Sequence, residues 1–369
     1  MHLVVIGSGV VGLWVAYLAS NNGFDVTVIE KNIGPGSSTS RRNSGVLHAG
    51  IYYEPGSNKA HHCVEGYSQT LNFLKKFNVP YKLCGKYIIP VEDDKEKIDN
   101  NEALQQLELL QQRAQHNGVQ EVFIEKISDK FPYLNANMAL YSKKTGVVKI
   151  DHYVDTLYHQ CCKNKVTFMF GRECVGFDGK VLDLRHTNDS KYTRLTANAI
   201  VNAAGLYADT VAELFGLQGY SIRPNKGLFF KLKRPLPDHM LVYPLPFKNS
   251  THLGCHYTVD VDGNAFIGPN AQWADNKEDY QINADKNYFF RSLKKLTDYY
   301  QLNDLNLVNR VGLRARLFKD EKPLNDFIIV KNHASVVHLL GIESPGFTSA
   351  PSLAQHVIKL IEMEILCSQ

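Results

Sequence analysis

The sequence predicts an α/β fold, α+β overall, in which a βαβ unit is assembled around an inserted antiparallel sheet. Three observations predict it. A glycine-rich turn joins a short apolar strand to a helix at the start of the chain, the middle is strand-rich with hairpin dipeptides, and an amphipathic helix closes the chain.

The elements follow in order. His2–Ile6 is a β-branched run, Gly7–Gly12 a tight turn, and Val11, Val15, Leu18 and Ala19 recur at helical spacing before a second buried strand at Val26–Ile29. Val64, Tyr67, Leu71, Leu74 and Phe77 step by three or four, predicting a helix that runs to Pro80. Leu104, Leu107, Leu110 and Ala114 predict another, stopped by Asn117-Gly118. Strands are expected at Val166–Phe170 and at Cys174–Phe177, the latter turning at Asp178-Gly179 into Val181–Leu184. The same cue recurs at Asp262-Gly263, between His256–Val261 and Ala265–Gly268, inside an expected antiparallel sheet from about Pro224 to Val330. Leu353, Val357, Leu360, Ile361 and Ile365 predict a last helix beginning just after Gly346–Pro351. The implied organisation is a discontinuous nucleotide-binding domain of residues 1–80, 145–222 and 333–369, with a second domain of residues 81–144 and 223–332.

Composition excludes several classes. With 369 residues and 44% hydrophobic content, neither disorder nor a coiled coil is expected. The charge balance is 41 − 37 = +4 with signs interspersed, so the basic stripe of a nucleic-acid binder is missing. Seven cysteines without C-x-x-C spacing predict free thiols rather than a disulfide framework or zinc site. Leu3 to Phe24 carries no charge, but Gly7, Gly9, Gly12, Ser8 and Ser20 interrupt it, so a soluble, cytoplasmic protein is expected, with contact to the inner membrane at most peripheral.

Gly7-Ser8-Gly9-Val10-Val11-Gly12 reads G-x-G-x-x-G between a strand and a helix, the Rossmann-like context in which the motif carries meaning. Gly7 allows the turn, Gly9 lets a pyrophosphate approach the backbone, and Gly12 lets helix and strand pack closely. The helix N-terminus then presents unpaired N–H groups and a partial positive charge to phosphates. Glu30 ends the second strand, where a carboxylate accepts hydrogen bonds from a ribose diol. A polar loop follows, Ser37 to Tyr53, where a nicotinamide enzyme would continue its βα units; such a loop can wrap a second phosphate and a flavin.

Here the chain resembles a family. Arg42-Asn43-Ser44-Gly45-Val46-Leu47-His48-Ala49-Gly50-Ile51-Tyr52-Tyr53, Asn202-Ala203-Ala204-Gly205-Leu206, Tyr243-Pro244, Gly254-Cys255-His256, Gly268-Pro269-Asn270, Gly312-Leu313-Arg314 and Gly341-Ile342-Glu343-Ser344-Pro345-Gly346 occur in one order across nearly the whole chain. They resemble the FAD-dependent oxidoreductases of the D-amino-acid oxidase superfamily, and within it the L-2-hydroxyglutarate dehydrogenase/oxidase family. The resemblance implies FAD as cofactor. Beyond Gly7, Gly9, Val10, Val11, Gly12 and Glu30, it implies contacts from Lys31, Ser38, Thr39, Arg42, Asn43, Ser44, His48, Ala49 and Gly50. It adds Val175 through its backbone, the small residues Ala203, Ala204 and Gly205, and Gly346, Phe347, Thr348 and Ser349 preceding the last helix, whose dipole would stabilise a reduced flavin.

Oxidising a carbinol needs an acceptor for the hydroxyl proton, and histidine suits that role near neutrality. His256, expected over the open flavin face, and His48, whose rival role is orienting the flavin, are the two candidates; a rate limb near pH 6.5 would then belong to the ring. Arg314 matches the position where the superfamily holds a substrate carboxylate, which its planar fork suits. Lys226, standing where the family often has arginine, and Arg316, sharing a strand face with Arg314, are candidates for a second carboxylate, although a solvated surface charge is the plainer reading of Arg316. Tyr53, Tyr243 and Tyr257 are expected pocket walls. The expected activity is oxidation of an L-2-hydroxy acid, L-2-hydroxyglutarate first, with oxygen or a quinone as electron acceptor. An amine or amino-acid oxidase, a glycerol-phosphate-type dehydrogenase and a non-catalytic flavin subunit are the alternatives.

Overall fold

The computed structural model describes residues 1–91, 99–189, 191–246, 254–333 and 335–367. His2–Ile6 is the central strand of a six-stranded sheet, flanked by Ala199–Asn202 and Asp25–Glu30, all parallel. Thr167–Phe170 and Val336–Leu340 extend it, also in parallel. Side chains of the first strand alternate between two cores. Leu3 and Val5 pack with the helices Val10–Asn21 and Gly346–Cys367, whereas Val4 and Ile6 pack with Leu182, Leu184, Val211 and Phe215. Both faces are covered, which is why the run is continuously apolar.

The second large sheet has ten strands. Its spine is the long pair Tyr220–Leu232 and Leu305–Lys319, antiparallel over most of their length. His256–Val259 and Ala265–Gly268 form the hairpin expected at Asp262-Gly263, and the Asp178-Gly179 hairpin likewise joins Arg172–Phe177 to Val181–His186. The sheet is not purely antiparallel: Leu241–Pro244 runs parallel to Lys86–Ile89. Helix Asn58–Lys76 begins under a Ser57 cap accepting from Ala60 N–H, and helix Asn100–His116 under an Asp99 cap.

Two elements depart from the sequence reading. The last helix starts at Gly346, not after Pro351, and carries Pro351 inside it. Thr348 and Ser349 N–H both bond Pro345 O, which starts the helix ahead of the proline; Pro351, sixth in the helix, forgoes the bond its N–H would have made to Phe347 O. Ile328–Asn332, expected with the antiparallel sheet, pairs instead with Val336–Leu340 at the edge of the parallel one. No helix among the described residues is long and apolar enough to cross a membrane, and the cysteines whose side chains are described are all unpaired.

Candidate active site

A cavity of about 690 Å³ lies between the loops at the C-terminal ends of the parallel strands and one face of the antiparallel sheet. Gly9, Ala203, Gly205 and Ile342 come from the loops; Asn225, Gly227 and Phe229, with Gly312, Arg314 and Arg316, come from alternate positions of the two long strands. Gln106, Leu109, Leu110 and Arg113 of helix Asn100–His116 close another side.

The glycine turn has the geometry the motif requires. Gly7 sits at φ +106°, and a Cβ there would lie 2.5 Å from Ala203 O; a Cβ on Gly12 would lie 1.9 Å from Gly7 O. Gly9 differs, because an added Cβ meets only Ser40 Oγ at 3.1 Å, so that part of the turn faces open space at the helix N-terminus. Glu30 accepts four hydrogen bonds: from Ser8 N and Oγ at 2.9 Å each, and from Asn32 N at 2.9 Å and Nδ2 at 2.8 Å. The two backbone donors fix the carboxylate, while the two side-chain donors are replaceable by a diol. Val175 falls at a register shift between Cys174 and Gly176, so it has no partner in the Arg172–Phe177/Val181–His186 ladder. Open cradle, fixed carboxylate and unpaired strand residue together fit an ADP-bearing cofactor.

The polar loop is stitched down before it reaches the reacting groups. Val10 N–H donates to Ser40 Oγ at 2.9 Å, Asn43 Nδ2 to Ser40 O at 2.8 Å, and Arg310 Nη2 to Asn43 O at 3.0 Å. Thr39 Oγ1 bonds Leu313 O, and Gly312 lets Arg42 O approach so closely that a Cβ would lie 2.0 Å from it. Gly9, Val10, Val11, Thr39, Arg42, Asn43, Ser44, His48, Ala203, Gly205, Gly346 and Phe347 reach the cavity wall. Gly7, Gly12, Glu30, Ala49, Gly50, Ala204 and Thr348 stand behind it, with Thr348 Oγ1 accepting from His48 N–H at 3.0 Å. Ser38 and Val175 are also off the wall, and Lys31 turns outward to pair with Glu278 over the Tyr207 ring.

His48 and His256 face the same cavity. His48 Nε2 lies 3.3 Å from Ser344 Oγ, which also bonds Tyr53, and its Nδ1 is buried without a partner. His256 Nδ1 lies 3.0 Å from Gly254 O, which assigns the proton to Nδ1 and leaves Nε2 as the acceptor. Its ring stacks on Tyr243 at 3.7 Å and 19°. Although part of the His48 ring borders open space, burial first, and the nearby Lys86 charge as a smaller cause, hold both imidazoles down at about 3. A ring pKa near 6.5, expected from the residue type, is thereby corrected: low dielectric disfavours the charged form.

Arg314 Nη1 donates to Asn225 Oδ1 at 2.8 Å and Nη2 to Asn270 O at 3.1 Å. Gly227 makes room, since a Cβ there would lie 3.0 Å from Arg314 Nη2. Arg316 is not a solvated surface charge; with its side chain 19% exposed it lines the cavity and pairs with Glu343 at 2.7 Å, as does Lys59 at 2.9 Å. Lys226 is a correction. Register pairs Asn225 with Arg314 and Lys226 with Leu313, so Lys226 points to the opposite sheet face, where Asp279 holds it at 2.8 Å. Of the three tyrosines, Tyr53 and Tyr243 reach the wall, whereas buried Tyr257 accepts from Leu236 N–H with its hydroxyl. Sequence reasoning missed Asn225, Asn270, Lys59, Glu343 and Ser344 on or beside the wall, and the buried Lys86 behind it. Glu343, Ser344 and Asn270 lay inside matched motifs; Lys59, Asn225 and Lys86 carried no such signal.

The model of the DAO family, FAD dependent oxidoreductase, matches residues 2–360. The mitochondrial L-2-hydroxyglutarate dehydrogenase of Arabidopsis thaliana is 30% identical over 96% of this chain and 82% of its own length. That of Indibacter alkaliphilus is 26% identical over 95% and 96%. A glycerol 3-phosphate dehydrogenase of Caloramator mitchellensis is 27% identical over 98% and 73%. Among solved structures, reduced L-alpha-glycerophosphate oxidase from Mycoplasma pneumoniae with FAD bound superposes with TM-score 0.86 at 24% identity, covering 98% of this chain and 94% of that one. With the family model spanning nearly every element just described, the chain belongs to the FAD dependent oxidoreductase family.

Proposed function

We propose that the protein oxidises an L-2-hydroxy dicarboxylate, L-2-hydroxyglutarate foremost, to the 2-oxo acid. The observation that carries this reading is the state of Arg314. Its guanidinium lines the same cavity as both histidines, yet its acceptors are two amide oxygens and no carboxylate pairs with it among the described residues. A cation held only by neutral dipoles keeps its charge for a ligand, and its fork suits a carboxylate. The names of the relatives support the same substrate class.

The glycine turn, Glu30 and the polar loop would hold FAD, which would supply a hydride acceptor and the oxidising power. The chain's own groups do the rest. Arg314 orients the α-carboxylate; His256 Nε2 or His48 Nε2 takes the hydroxyl proton; Tyr243 and Tyr53 shape the wall. The second carboxylate is assigned to Arg316 and Lys59, two cations sharing one Glu343, which replaces the role first given to Lys226. A monoacid leaves that end unmatched, so L-2-hydroxyglutarate should outcompete L-lactate by about a hundredfold or more in kcat/KM.

The test is anaerobic titration of the yellow holoprotein with 2-hydroxy acids, amino acids and glycerol 3-phosphate, following flavin bleaching. Equal bleaching by lactate and hydroxyglutarate rejects the diacid and keeps the hydroxy acid. Preference for glycerol 3-phosphate supports the second reading, for which the Caloramator relative speaks and for which Arg316 and Lys59 would hold the phosphate. Bleaching by amino acids alone rejects both.

A further inference from the structure

Behind the cavity wall lies a lysine with no role so far. Lys86 opens the strand Lys86–Ile89, is 1% exposed, and is not itself on the wall. Its Nζ sits 4.5 Å from the Tyr52 ring centroid and 4.7 Å from that of Tyr243, and Tyr243 stacks on His256. The groups facing it come from four other elements: Tyr52 and His48 from the polar loop, Cys63 from helix Asn58–Lys76, Tyr243 from Leu241–Pro244, and His256 from His256–Val259. None is a carboxylate, and no hydrogen-bond acceptor meets Nζ among the described residues. Arg314 adds positive charge near His256 from the long strand.

Two ring faces recover only part of the hydration such an ammonium loses. Burial accordingly pushes Lys86 down to about 7, and its charge is among the causes that depress both imidazoles. Three basic groups thus share one low-dielectric region, where a proton on one opposes a proton on either of the others.

We propose that Lys86 is a positioning residue that gates the His48–His256 pair, which takes the substrate proton efficiently only while Lys86 is a neutral amine. The proposal rests on the hydroxy-acid reading above. In the step concerned, the substrate O–H bond breaks, its proton moves to a ring nitrogen, and the bonding pair stays on oxygen. With Lys86 charged, this creates a second buried cation beside the first; with Lys86 neutral, it creates only one. The rising limb of the rate near neutrality then belongs to the lysine, not to a histidine.

The test compares parent, Lys86→Met and Lys86→Arg holoenzyme by stopped-flow flavin reduction at saturating substrate from about pH 5 to about pH 9, together with NMR titration of isotope-labelled histidine in the oxidised holoenzyme. The parent should show a limb centred near 7. Lys86→Met should lose it and, at the acid end, reduce at least about tenfold faster than the parent. Lys86→Arg, charged throughout, should remain near the parent's acid-side rate. The His48 and His256 signals, identified with His48→Gln and His256→Gln, should titrate at least about one pH unit higher in Lys86→Met. A limb that persists in Lys86→Met, or histidine signals that do not move, overturns the proposal and leaves Lys86 a packing residue. Should Lys86→Met fail to fold, neutral Lys86→Gln carries the same expectations. The histidine titration needs no substrate, so a wrong substrate assignment and a wrong role for Lys86 give different results.

Discussion

Arg314 shows how one side chain acquires a function from its surroundings. Asn225, directly opposite on the paired strand, and the carbonyl of Asn270 hold the guanidinium without neutralising it. Lysine keeps the charge but loses the fork and cannot satisfy both amide oxygens and a substrate in one plane. Arg314→Lys should therefore lower kcat/KM by about tenfold to a thousandfold, mostly through KM, while FAD stays bound. Unchanged steady-state kinetics would remove Arg314 from substrate contact. At this scale the sequence was legible where a residue sits in a motif, as with His48, His256 and Arg314. It misled at Lys226, because one step along a strand reverses the face and nothing local says which face holds the cavity.

The glycine turn is the element whose parts separate most cleanly. Gly12→Ala drives a methyl to 1.9 Å from Gly7 O, a backbone atom between two packed elements that has little freedom to move. Gly9→Ala meets only Ser40 Oγ at 3.1 Å. Gly12→Ala should lower Tm by several degrees and lose FAD as a consequence. Gly9→Ala should keep the apoprotein's Tm within about two degrees and weaken FAD by about tenfold or more, since the methyl enters the phosphate cradle. Calorimetry of both apoproteins with flavin titration checks the pair; equal loss of Tm in both would show that Gly9 serves packing. The first two strands, the two Asp-Gly hairpins and four of the helices were legible because period and turn chemistry are local, whereas helices Ile150–Lys163 and Lys286–Lys294 were not read. The start of the last helix was not, because Gly346 and Pro351 both read as breakers until Pro345 O supplies the first bonds.

Across the whole molecule, buried histidines tie stability to pH. His48 and His256 lie at about 3, and His62 and His338 at about 4, each lowered first by burial. The unfolded chain titrates its histidines near 6.5, so between those values it binds more protons than the folded one. Stability is therefore fully present above about pH 6.5 and is lost as pH falls toward 4 and then 3. Acidifying the apoprotein from about pH 7 to about pH 5 should lower Tm by roughly 5 °C or more. A flat Tm over that window in calorimetry would mean that these rings are hydrated in the folded protein. Lys86 acts in the same direction, higher on the pH scale: its folded value near 7 lies below the unfolded 10.5, so stability falls as pH drops through that range, and this contribution is constant below it.

What the sequence by itself determined is local or ordered along the chain: the G-x-G-x-x-G turn with Glu30, the hairpins at Asp178-Gly179 and Asp262-Gly263, and a motif order that implies the cofactor. These follow from backbone sterics and hydrogen-bond chemistry acting over a few residues, so a single sequence expresses them. Only the tertiary structure decided which charges share the cavity. Arg316 and Lys59 meet on Glu343, and Lys86 meets His48 and His256, across chain separations that no period encodes. Charge interactions depend on distance and on the dielectric between groups, and both exist only once the sheets have packed.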